Sequence, residues 1–211
     1  MPEYQEQFTT HVDMHGSLMA TYEEATFKRI AEDAIFFRQQ AAQGEIDEKQ
    51  RKRYAMVIVL LMSFYLESMS KLICEAVVNK GLEDVDKRGD LPKAIRRFRA
   101  VHSELLGKEL TLNTDGIQDI FTIRNKIIAH PAGRGKLQTN EFGWSPVNQQ
   151  FTYRKFKNFP FVYSHFTLRE ADAVLKEVYE FLTEFLRLLT HKLSKEQVDE
   201  LWPQELGEWN K

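Results

Sequence analysis

The stretch Ala55-Met56-Val57-Ile58-Val59-Leu60-Leu61-Met62-Ser63-Phe64-Tyr65-Leu66 decides the fold. Wound as a helix, it is apolar on every side, and such a helix belongs in the centre of a bundle, away from water. The run falls short of the roughly 20 apolar residues that a membrane-spanning helix needs, so it reads as a core helix in a chain with no membrane segment. Asp47 starts the helix, Lys49, Arg51, Lys52 and Arg53 make its charged first turns, and the pattern holds to about residue 79. Glu67 follows the apolar run directly. It is either the first exposed residue past the core or a carboxylate reaching towards a buried cation.

On the N-terminal side, residues 17–43 read as a long amphipathic helix with Ser17 as its cap and Gly44 as its stop. Residues 1–15 are weakly patterned and amphipathic. Met1 to Glu6 has neither the basic start nor the apolar run of a signal peptide, which makes the cytoplasm the default compartment. His11 and His15, four apart, would share one helix face, but no second pair of metal ligands is evident. Solvated polar residues are therefore the preferred reading, and neither metal nor cofactor is expected.

On the C-terminal side, Gly81 to Gly89 reads as a charged turn, and Asp90-Leu91-Pro92 as a helix start. That helix, to about Leu106, buries Ile95, Phe98, Val101, His102 and Leu105 and carries Lys93, Arg96, Arg97 and Arg99. Four cations so close together either track a phosphate backbone or form a solvated face. His102 shares the apolar side and reads as a packed histidine. Asn113, Thr114 and Asp115 offer caps for the next helix, whose apolar side is Ile117, Ile120, Phe121, Ile127 and Ile128. Arg124 falls seven after Ile117 and three before Ile127, on the stripe meant for burial. A cation there needs a partner or a polar cleft, and Glu67 is the candidate partner. Pro131 then ends the helix and pushes His130 out of it.

Residues 131–166 change texture. Gly133-Arg134-Gly135 is a flexible turn without the spacing of a phosphate loop. Residues 151–153 and 159–163 alternate as strands about a turn at Lys157-Asn158. Aromatics interleave here with Arg154, Lys155 and Lys157. Such a mixture fits stacking on unpaired bases, but a short hairpin with its rings packed inward is favoured. Thr167-Leu168-Arg169-Glu170 is a capping box opening a helix to about Leu193, with a wide apolar side from Ala171 to Leu189. The tail, 194–211, holds Trp202 and Trp209, which suggests docking.

The expectation is an all-α fold: an up-and-down helical bundle of four to five main helices with an irregular or short β-hairpin insert at about 131–166. One domain, 1–211, accounts for the length, with its core at about 17–130 and 167–193. With 43% hydrophobic and 28% charged residues, the composition is that of an ordinary globular chain. A net charge of -2 and a pI near 6.3 exclude polyanion binding by overall charge, so any nucleic-acid contact must be a local patch. The single cysteine, Cys74, lies in the core helix and cannot make an internal disulfide.

At Arg124, Asn125 and His130 the chain resembles the HEPN superfamily, helical bundles marked by Arg, four to six intervening residues and His, often with Asn after the Arg. Five residues intervene here. The resemblance implies a metal-independent endoribonuclease, in defence or a toxin system, acting as a homodimer whose two copies share a composite site. RNA would be its substrate and an antitoxin or defence protein a further partner. Catalysis would fall to Arg124, Asn125 and His130, with Glu67 in support. RNA carries its own nucleophile, the 2′-OH, so the protein needs only a base near neutrality and a cation for the phosphorane. Some members are controlled by modification of a Tyr two residues after the motif His; Ala132 stands at that position here. Other members lack catalysis and serve as dimerisation or binding modules, which is the alternative reading.

Overall fold

The computed structural model describes residues 7–12, 18–23, 26–78, 82–87, 89–125, 142–145, 150–153 and 167–208. In chain order these hold β1 (Gln7–Val12), β2 (Leu18–Glu23), α1 (Thr26–Ala42), α2 (Glu48–Val77), α3 (Leu82–Val85), α4 (Lys93–Leu106), α5 (Asp115–Ile123), β3 (Phe142–Ser145), β4 (Gln150–Tyr153), α6 (Leu168–Leu189), α7 (Lys195–Leu201) and α8 (Gln204–Glu208). The fold is an all-α bundle. Helices α1, α2, α4, α5, α6 and α8 contribute to one apolar cluster, and α1, α4 and α6 all pack on α2.

The apolar run builds the centre as its composition dictates. Asp47 caps α2 by accepting from the Gln50 N–H at 2.7 Å. Ile58, Val59, Met62, Tyr65, Leu66 and Met69 are then fully buried. One stripe is left uncovered, with Val57, Leu60 and Leu61 half-buried and Phe64 exposed. Burial on all sides therefore gives way to burial on three. Length and composition alone would let α2 cross a bilayer, but 56% of its apolar window is buried inside the bundle.

Burying a large apolar side chain contributes roughly 1.5–3 kcal/mol, and the aromatic core concentrates that gain between α4 and α6. Phe98 meets Phe181 and Phe185 edge to face at 5.2 and 4.8 Å. A two-pronged ion pair from Arg38 to Asp172, at 3.0 and 3.3 Å, ties α1 to α6. The capping box forms: Glu170 accepts from the Thr167 N–H at 2.9 Å, and Thr167 Oγ1 accepts from the Arg169 N–H. Gly107 closes α4 at φ 67°, the left-handed conformation that favours glycine. In the tail, Leu206 is fully buried and Trp202 packs partly into the core; Trp209 lies outside the described residues.

Several boundaries differ from the sequence expectations. The first helix starts at Thr26, and Ser17 does not cap it. Instead, β1 and β2 pair antiparallel, Gln7 opposite Glu23 and His11 opposite Met19. Thr9, Thr10, Val12, Thr21 and Tyr22 favour extended backbone. His11 therefore lies in a strand, and His15 lies outside the described residues. The Gly81 to Gly89 turn contains the short α3. Helix α4 begins after Pro92, without a side-chain cap from Asp90. In the insert, β4 covers the expected strand at 151–153, but it pairs with β3 upstream, Phe142 opposite Tyr153. The expected strand at 159–163 lies outside the described residues.

Candidate functional site

Helix α5 is short and nearly all core. Ile117, Ile120, Phe121 and Ile123 are buried to within 1%, which fixes the rod that delivers Arg124. The Arg124 N–H donates to the carbonyls of Ile120 and Phe121.

The cation on the buried stripe has the partner it needs. Arg124 Nη1 lies 2.9 Å from Glu67 Oε1, with side-chain exposures of 19% and 32%. Arg124 Nε donates to Asn125 Oδ1 at 3.0 Å. The guanidinium also stands 5.1 Å from the centre of the Phe121 ring, close enough for a cation–π attraction. Asn125 is exposed. Guanidinium has five N–H donors in a fixed planar fork. Among the described residues, Glu67 and Asn125 hold that fork on two sides. His130 lies outside the described residues.

Beneath Glu67 lies a second ion pair. Arg97 is only 7% exposed. Its Nε donates to Asp86 Oδ1 at 2.9 Å and its Nη2 donates to Asp86 Oδ2. Its Nη1 donates to the backbone carbonyl of Glu67 at 3.3 Å, which also accepts from Ser70 Oγ at 2.9 Å. Burial pushes the Asp86 carboxyl up, but hydrogen bonds and charge from Arg97, with the charges of Lys93 and Arg96, hold it below the ordinary value.

These contacts revise the basic row of α4. Arg97 points inward and does not face a phosphate backbone. Arg96 donates to the carbonyls of Asp86, Val85, Gly89 and Leu91, clipping the loop before the helix. Lys93 lies 3.9 Å from Asp86, and Arg99 is exposed. Arg154, Lys155 and Lys157 lie outside the described residues. His102 is fully buried, with Nδ1 at 2.9 Å from the Lys108 carbonyl, the place of a packed histidine. Cys74 is buried, and that burial pushes its thiol up. Sequence reasoning missed Asp86 and Ser70: nothing local in a charged turn marks the one Asp that meets a buried Arg.

Among the described residues, no three His, Cys, Asp or Glu side chains are grouped to hold a metal ion. No family model, curated protein or solved structure matches the chain.

Proposed function

We propose that the protein is an endoribonuclease that needs no metal, with Arg124 binding the scissile phosphate and His130 as acid and base. The observation that carries this reading is the Glu67–Arg124 pair. It holds a permanent cation at the end of α5, beside exposed Asn125 and five intervening residues before His130. The His130 imidazole takes the 2′-OH proton, the 2′ oxygen bonds to phosphorus, and the bond to the 5′ oxygen breaks. The imidazolium passes that proton to the leaving 5′ oxygen, and the product is a 2′,3′-cyclic phosphate. Arg124 balances the charge that builds on the phosphorane oxygens. Asn125 orients the imidazole or donates to a phosphate oxygen. Two copies form a homodimer with a composite site, serving in defence or a toxin system beside an antitoxin or other defence protein.

The test is RNA cleavage in the presence of chelator by the wild-type chain, His130→Ala and Arg124→Ala. Loss of cleavage in both variants supports the reading, and equal cleavage in all three overturns it.

One observation favours a second reading, a non-catalytic module that binds RNA or protein or dimerises. Glu67 compensates the charge of Arg124 within the chain, and a compensated pair also describes an ordinary interior salt bridge. A wild-type chain that binds RNA without cutting it meets this reading.

A further inference from the structure

We infer that Arg97, held by Asp86, is a positioning residue that sets Glu67 against Arg124. Glu67 is where two guanidinium groups meet from different helices: its carbonyl accepts from Arg97 of α4, and its carboxylate takes Arg124 at the end of α5. The carbonyl of a residue inside a helix already serves the N–H four residues on. The contact from Arg97 is therefore an addition to the ladder, made by a side chain from 30 residues away.

A buried ion pair can often be replaced by apolar side chains without loss of stability, so stability alone gives little reason to keep this one. It does fix register. A shift of one residue along α2 moves Glu67 by about 1.5 Å and turns it by about 100°, enough to take its carboxylate off Arg124. Arg97 opposes that shift because its planar fork is committed on one edge to Asp86 and on the other to α2. The loop that supplies Asp86 is itself clipped by Arg96. Lysine cannot substitute: a single ammonium can meet Asp86 but does not reproduce the fork that reaches both partners.

The catalytic consequence rests on the endoribonuclease reading; the structural consequence does not. The experiment is a double-mutant cycle of Glu67→Ala and Arg124→Ala, read from urea midpoints of the full chain, in the wild-type and Arg97→Lys backgrounds. Arg97→Lys is expected to cut the coupling between Glu67 and Arg124 to less than half. It should also lower kcat for RNA roughly tenfold or more with little change in KM, the mark of a misplaced group. Unchanged coupling overturns the inference, whatever cleavage does. Reduced coupling in a chain whose wild type cuts no RNA upholds the positioning role and overturns the nuclease reading instead. If Arg97→Lys does not fold, Asp86→Asn with Arg97→Met, which leaves no buried charge alone, takes its place. The same loss of coupling is then expected, and its absence overturns the inference.

Discussion

Glu67 Oε1 and Arg124 Nη1 lie 2.9 Å apart, joining the middle of the central helix to the end of α5. The pair answers the main energetic problem in the sequence, a cation on an otherwise apolar stripe.

Removing the carboxylate should therefore cost stability. Glu67→Ala strands a guanidinium that is 19% exposed, at about 1–2 kcal/mol after allowing for solvent screening of the partly exposed carboxylate. Glu67→Gln keeps a hydrogen bond and should cost less than half as much. Urea unfolding measures both, and equal midpoints for Ala, Gln and wild type would show that the pair contributes nothing.

The Asp86–Arg97 pair should give the fold an acid-sensitive component. The Asp86 carboxyl is held low in the folded chain; unfolded, it titrates at about 3.9. As pH falls below about 5, the unfolded chain binds a proton that the folded chain resists, so this stabilisation fades as pH drops through the folded value. Asp86→Asn should lose about 3 kcal/mol at pH 7 by leaving Arg97 buried alone. The gap between the two proteins should narrow towards pH 3. A gap that stays constant over that range would contradict the assignment.

Glu177 should behave in the opposite sense. Burial, then the charges of Glu180, Asp119 and Asp115, push its carboxyl above the ordinary value. The protonated form is thus the one the fold prefers, and its stabilisation is complete below the unfolded value and lost as pH rises through the folded one. The side chain is seated over Gly116, where an added Cβ would come within 2.1 Å of Glu177 Oε1. Glu177→Gln should raise Tm at pH 7 and leave it nearly unchanged at pH 4, by calorimetry. A lower Tm at pH 7 would instead mean that the carboxylate stabilises the start of α5.

Some local signals held, while the cap expected from Asp90 did not form. The apolar run of α2, the Asp47 cap and the Thr167–Glu170 box each depend on residues within a turn or so of one another. The N-terminal hairpin escaped because Leu18 and Tyr22 also fit a helical spacing, and cross-strand pairing with residues 7–12 is what decides between the two. The Glu67–Arg124 pair was one of two readings open for Glu67, because a charge on a buried stripe demands a partner and Glu67 directly follows the apolar run. Arg97 could not: its place among four cations on α4 suggested a solvent-facing row, and only tertiary packing turns it onto Asp86 and the α2 backbone. The same holds for Arg96, whose partners are backbone carbonyls that carry no sequence signature.

The most direct measurement is the chemistry of the ends left on a short RNA incubated with the dimeric or monomeric full chain in chelator, read by mass spectrometry. A 2′,3′-cyclic phosphate that forms with wild-type protein and not with His130→Ala is the predicted result. Intact RNA with the wild-type chain, or the same cyclic product at the same rate from His130→Ala, would contradict it.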